Sequence, residues 1–414
     1  MPRPALTLCF ALALGLPVAA AEWVQFRGAT GDGHADAAKL PTEWDKTKNV
    51  AWRVELPGNG WSSPVAAGGK VYLTTAVPGE AKGDYSLRAL CLDAKTGKTL
   101  WDVEVFKEDG KTAPPIHSKN SHASPTPILD GGFLYVHFGH MGSACLKAAD
   151  GSKVWAQDTL KYTPVHGNGG SQVLVADKLI FCIDGIEKQA VVALDAKTGK
   201  VAWQTPRNAR PKKPFSFATP LVITVGGKEQ VVAQGSDVVM ALDPATGKEI
   251  WRVKYNGYSV VPKPLFADGI VYLSTGYDNP VFYAIKADGT GDVTDTHVAW
   301  TIKKGVPRNA SPLLVGDAIY MAADDGTVTC IDARTGEQRW SERVAKAYSS
   351  SPVFANGHVY LLAEDGTATV FKPGPSYDPV ATNKMGERAL ASYGVDGDAL
   401  LLRTEKALYR IEKK

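Results

Sequence analysis

Five of the eight histidines fall between residues 117 and 166: His117, His122, His137, His140 and His166. Imidazoles brought together could bind a transition metal, or act as acid and base on a small substrate. His122, His140 and His166 are the candidates for convergence on one cavity. No short metal-ligand spacing accompanies them, so histidines hydrogen-bonded within turns are the alternative. A second constellation is Arg308 beside Asn309, where the guanidinium is the best single contact for an anion. A third is the run Pro206 to Pro214, in which Arg207, Arg210, Lys212 and Lys213 read as a basic surface loop facing either solvent or an anionic partner.

The elements that must position these groups emerge from internal repetition. Leu92-Asp93-Ala94-Lys95-Thr96-Gly97-Lys98 with Trp101 recurs as Leu194 to Lys200 with Trp203, Leu242 to Lys248 with Trp251, and Ile331 to Glu337 with Trp340. Degenerate copies end at Trp155 and Trp300. Tryptophans 52, 101, 155, 203, 251, 300 and 340 are separated by 49, 54, 48, 48, 49 and 40 residues, the length of one propeller blade. Within each unit a small-polar turn with proline, as in Ser62-Ser63-Pro64, Ser124-Pro125 or Ser311-Pro312, leads into β-branched strands separated by Gly turns. The Asp and Thr of the repeat can bond the turn backbone while Gly takes positive φ, so this segment is turn chemistry.

Eight four-stranded antiparallel blades follow if the ring closes through the N-terminal strand near Trp52. The unit from Arg388 to Ile411 supplies three strands, and Val50-Ala51-Trp52-Arg53-Val54 supplies the missing outer one. Seven blades with an unpaired terminus is the alternative. On this alignment Trp61, Asn168, Phe217, Ser259, Asn309 and Tyr348 start successive inner strands and ring one channel mouth. Long loops on that face belong to blades one to five: Thr75 to Ser86, Phe106 to Ser124, Thr205 to Phe217 and Thr275 to Val281. A one-residue slip would turn each side chain to the opposite face.

The pattern Ala193, Asp195, Gly199, Trp203 resembles the pyrroloquinoline quinone (PQQ) repeat, over nearly all of residues 50–412. The resemblance implies an all-β propeller whose tryptophans dock between blades around a central channel. Such propellers serve both quinoprotein dehydrogenases and non-catalytic scaffolds of outer-membrane assembly, so fold leaves function open. Trp23 to Gly28, Gly31-Asp32-Gly33, Leu40-Pro41, Trp44 and Asn49 to Trp52 resemble the leader of exported bacterial proteins with this repeat. Residues 22–49 are expected to form a strap on the propeller's outer wall through Trp23, Phe26 and Trp44. One branch of the family implies PQQ with Ca²⁺, held by Glu, Asn, Asp and Arg, often above an adjacent cysteine pair. No position here matches that set, and neither Cys-Cys nor Cys-x-x-Cys-His occurs. The expected role is a protein-interaction scaffold or ligand-binding module. The alternative is a quinoprotein-like oxidoreductase of alcohols or sugars, and a hydrolase or lyase using the histidines is a third.

Arg3, the apolar run Ala5 to Val18 and Ala19 to Ala21 have the layout of a cleaved secretory signal, too short to span a membrane. A periplasmic or secreted protein is expected, without a transmembrane segment. A net charge of +3 gives no reason to expect nucleic acid. A monomer is expected, with a protein or small-molecule ligand at the channel-mouth face. Cys91, Cys145 and Cys330 stand where other repeats have Ala193, Ala241 and Ala284, so they read as small buried residues. Cys182 leaves a disulfide open.

Overall fold

A computed structural model describes residues 22–37 and 39–414. The signal sequence inferred for residues 1–21 lies outside the described residues. The chain forms eight four-stranded antiparallel blades, seven of them built from consecutive strands. The eighth joins Gly394–Asp396, Ala399–Arg403 and Ala407–Ile411 to the N-terminal strand Val50–Glu55. Trp52 therefore closes the ring, as the repeat implies. No helix among the described residues is long and apolar enough to cross a membrane.

Burial follows position within the blade. The third strand Gln189–Asp195 is buried on both faces from Ala190 to Leu194, because neighbouring blades cover both sides. The outer strand Val201–Pro206 alternates between exposed and half-buried residues. Trp155 donates its indole N–H to Ala196 O of the next blade at 2.9 Å, and Trp52, Trp101, Trp203, Trp300 and Trp340 do the same to their neighbours. Gly199, at φ +70°, lies flat on the Trp155 ring, where a Cβ would come within 2.5 Å. Trp251 is the exception: it donates to Gln230 Oε1, and Gly291–Asp292 adds a parallel fifth strand beside it.

Each repeat cysteine lies directly across the ladder from its blade's tryptophan, Cys91 from Trp101, Cys145 from Trp155 and Cys330 from Trp340. Ala193 and Ala241 hold the same place opposite Trp203 and Trp251. The closing blade differs, with Arg410 opposite Trp52. All four described cysteines, including Cys182, are free thiols.

The N-terminal segment departs from the expected outer strap. Trp23 bridges Ala66 of blade one, and Val24 O accepts the Leu129 N–H of blade two. Arg27 donates to Pro312 O of blade six at 2.9 Å, and Gly31 O accepts from Lys263 of blade five. His34–Ala35 then pairs in parallel with Val353–Ala355 of blade seven. A segment that touches the inner strands of blades one, two, five, six and seven crosses the channel axis. Trp44, stacked on Tyr360, leaves the axis between blades seven and eight, with its backbone N–H held by Asn383. Residues 23–35 are a plug, and the channel becomes a cup.

Candidate functional site: a plugged channel with a loop across its mouth

The cup encloses a cavity of about 800 Å³. Phe26 of the plug reaches its floor, and Trp61, Phe215, Phe217, Tyr258 and Tyr277 supply aromatic wall. Around the floor runs a ring of hydroxyls. Ser63 N–H donates to Thr126 Oγ1, Thr126 N–H to Ser171 Oγ, and Ser171 N–H to Thr219 Oγ1, each at 2.9–3.0 Å. On the far side Lys263 N–H donates to Ser311 Oγ, Ser311 N–H to Ser351 Oγ and Ser351 N–H to Ser392 Oγ, again at 2.9–3.0 Å. These residues stand at the start of each inner strand, most of them followed by a proline that has no N–H of its own to satisfy. Blade five breaks the pattern with Lys263, buried, whose ammonium is donated to Gly31 O at 2.9 Å. Burial, aided by nearby Arg27 and opposed by Asp32, brings its pKa down to about 7.

The sequence-derived candidates divide between two places. Trp61, His166, Arg308 and Asn309 line the cup, as do Phe217 and Ser259. Tyr348 does not: it is 1% exposed within the core between blades six and seven. Asn168 also turns away from the axis, accepting the Tyr162 hydroxyl at 2.7 Å and approaching His140 Nδ1 with its amide at 2.9 Å. Asn168 and Tyr348 stand three residues before Ser171 and Ser351, whereas Trp61, Phe217 and Asn309 stand two before their own ring residues. The repeat register therefore points to Gly169 and Ser349, which do line the cup, and a one-residue slip turns the neighbouring side chains away. His122 and His140 meet not in the cup but on a carboxylate that the sequence did not single out.

That carboxylate is Glu108, the last residue of an outer strand, 3% exposed. His122 Nδ1 lies 2.5 Å from one oxygen and His140 Nε2 3.0 Å from the other. The Asn168 amide donates to His140 Nδ1, which leaves the His140 proton on Nε2, facing Glu108. Burial opposes the charge on Glu108, but hydrogen bonds from both imidazoles outweigh it and hold its pKa at about 2. His137, fully buried beside Ser143, is pushed down to about 3 by desolvation and stays neutral. Among the described residues no three His, Cys, Asp or Glu side chains are placed to hold a metal. His122 and His140 are thus joined through Glu108, His137 bonds separately to Ser143, and His117 and His166 stand at the cup.

Glu108 and His122 bracket the segment 109–121, which folds over the cup. Lys119 at its tip reaches across the mouth to Glu364 of blade seven at 2.7 Å and to Asp324 of blade six at 4.0 Å. Arg388 donates to Ser118 O at 2.8 Å while lying over the Trp61 ring. His117 N–H and the Asn120 amide both donate to His166 O, and the two imidazole rings meet edge-on. Blades six to eight therefore also contribute to the mouth, although most of the residues lining the cup come from blades one to five.

The basic loop also divides. Lys213 remains at the rim, over the Tyr258 ring and 3.3 Å from Asp278. Arg207 is no surface residue: it is 1% exposed, forks onto both oxygens of Asp184 at 2.6 and 2.8 Å, and donates to Ala233 O and Gln234 O of the next blade. Asp184, at the end of the second strand of the same blade, is the signal that charge clustering along the chain concealed.

The family model described as outer membrane protein assembly factor BamB matches residues 34–116, 88–228, 216–307 and 292–373. The outer membrane protein assembly factor BamB of Yersinia pestis is 25% identical over 185 residues, 43% of this chain and 42% of that protein. The chain thus spans about two fifths of the length of that curated relative. Among solved structures, BamB from Moraxella catarrhalis superposes with a TM-score of 0.62 at 14% identity, covering 88% of this chain and 97% of that one. A europium-containing methanol dehydrogenase superposes with a TM-score of 0.67 at 13% identity, covering 94% and 90%. At these identities the likenesses show a common fold alone. With matches running from residue 34 to residue 373, the chain belongs to the PQQ-repeat propeller family whose model is described as outer membrane protein assembly factor BamB.

Proposed function

We propose that this is an exported, envelope-facing propeller that binds rather than transforms: an interaction scaffold or ligand-binding module working through its open face. The observation that carries this is the cup itself, closed on one side by residues 23–35 and lined on the other by residues of all eight blades, with aromatic and charged groups among them. Membership of a family described by an outer-membrane assembly factor supports a protein partner. His166, Arg308, Asn309 and Trp61 are the residues through which binding is proposed to occur.

The quinone that names the repeat is a poor match to this mouth. A divalent cation there would need the carboxylates of Asp324 and Glu364. Lys119 already places its ammonium between them, and the Asn309 amide is bonded to Asp324. Their charge is met by the protein's own cation. The test is to add PQQ and Ca²⁺ to the purified protein and follow absorbance and dye-coupled oxidation of alcohols and sugars. Saturable binding with turnover would overturn the binding-module reading. Capture of an envelope protein by the wild type, lost in Trp61→Ala and Arg308→Ala, is the expected result.

A further inference from the structure

The floor of the cup holds donors with nothing to donate to. Thr126, Ser171, Thr219, Ser311, Ser351 and Ser392 each use a lone pair to accept a backbone N–H. Among the described residues none of these six hydroxyls gives its own proton to a protein atom. All six are nearly buried and all face the cavity. A buried hydroxyl proton seeks an acceptor, and six from six blades converge on one floor around Phe26. Their natural counterpart is a compact ligand with oxygen atoms on several sides.

Two further features narrow the ligand. Trp61, Phe215, Phe217 and Tyr258 present flat apolar surface, suited to the face of a ring. Positive charge is under-compensated from above and below. Arg308 lies over the Tyr277 ring; its backbone N–H is held by Asp324, while among the described residues its guanidinium donates only to a backbone carbonyl, Asp278 O at 3.3 Å. Beneath the floor, Arg27 and Lys263 donate only to carbonyl oxygens, with Asp32 as the neighbouring carboxylate. An inorganic oxyanion would leave the aromatic walls unused, a flat aromatic acid the ring of donors, and a neutral sugar the guanidinium.

We propose that the cup is a binding site for an acidic sugar, a uronic acid unit of an oligosaccharide, with ring face on the aromatic wall, hydroxyls on the Ser/Thr ring and carboxylate on Arg308. The proposal deepens the binding-module reading and rests on it. A cavity of about 800 Å³ suits a ligand of a few rings. Entry passes the segment 109–121, whose Lys119 is then freed from Glu364 to face the bound carboxylate or remains latched above it.

The test is calorimetric titration of the purified protein with di- and trigalacturonic and glucuronic acids, with neutral oligosaccharides of equal length, and with citrate. Uronates are expected to bind about tenfold tighter than their neutral counterparts, a preference that Arg308→Gln removes. Thr219→Val, checked for unchanged melting, is expected to weaken uronate and neutral sugar alike. Should that variant misfold, Tyr258→Ala at the rim provides the same readout of the wall. Equal affinity for neutral and acidic sugars, citrate binding as tightly as uronate, or no binding of any sugar would each overturn the proposal. If sugars fail while an envelope protein is still captured through Trp61 and Arg308, the acidic-sugar site falls and the scaffold stands.

Discussion

Glu108 and His122, 2.5 Å apart, fasten together the two ends of the segment that crosses the cup. The bond turns residues 109–121 into an Ω-like loop whose base is fixed and whose tip spans the channel. Because the folded protein holds Glu108 near 2, against an ordinary 4.5, its ionisation contributes stability that is complete above pH 4.5 and lost as pH falls towards 2. Glu108→Gln should therefore cost about 1.5–3 kcal/mol at pH 7 and progressively less below pH 4.5. Urea denaturation of both proteins between pH 3 and 7 measures the difference, and a gap that does not narrow with acid would contradict it.

The tip of the same loop is held more weakly. Lys119 and Glu364 are partly exposed, and pairs of that kind contribute about 0–1 kcal/mol and weaken with salt. Lys119→Met and Glu364→Gln should leave global stability nearly unchanged while raising hydrogen exchange across residues 109–121. In 0.5 M salt the wild type should approach the variants. Exchange confined to other loops would show that the tip is held by His117 and Asn120 instead.

Lys263 is legible only once the ring of hydroxyls is recognised. The repeat and its Trp-Gly docking could be read from spacing, since they recur in most units and their turn chemistry is local. The ring could have been read too, but Ser124-Pro125 drew the alignment two residues away from Thr126-Pro127, the pair that holds the ring position in blade two. Glu108 could not: its partners lie 14 and 32 residues away and no motif joins them. Nor does composition tell a strap on the outer wall from a plug through the axis. That distinction is made by Arg27 and Gly31 meeting the carbonyls and side chains of blades that are distant in sequence.

A lysine whose pKa is brought from 10.5 to about 7 makes a definite prediction. Between these values the unfolded chain binds a proton that the folded one does not, so stability rises with pH across the window, and the burial penalty is fully present below pH 7. The groups facing Lys263 are Asp32, which is ionised throughout, and Arg27, whose own pKa burial lowers to about 10, so the comparison is clearest between pH 6.5 and 9. Lys263→Met removes the titrating amine and leaves the rest. The stability difference between variant and wild type should be largest near pH 6.5 and shrink towards pH 9. Denaturation at pH 6.5, 8 and 9 tests this, and a constant difference would mean that Lys263 is neutral or solvated at all three.

Arg207 and Asp184 pose the opposite case, a buried ion pair between blades three and four with both side chains 1% exposed. Asp184 at 2.6 Å keeps the guanidinium charged against the cost of its burial, and Ala233 O and Gln234 O take its remaining donors. The close fit extends to Gly235, where a Cβ would fall 2.4 Å from Arg207 Nε. Removing one partner strands the other, so Asp184→Asn should destabilise by about 3–5 kcal/mol. The pair itself adds far less than that figure suggests, because its desolvation has already offset most of the attraction. The double variant Asp184→Leu, Arg207→Met should therefore be more stable than Asp184→Asn alone. Equilibrium denaturation of wild type, single and double variants decides it. A double variant as damaged as the single one would show that Arg207 holds the blades together through Ala233 and Gln234, with Asp184 only neutralising it.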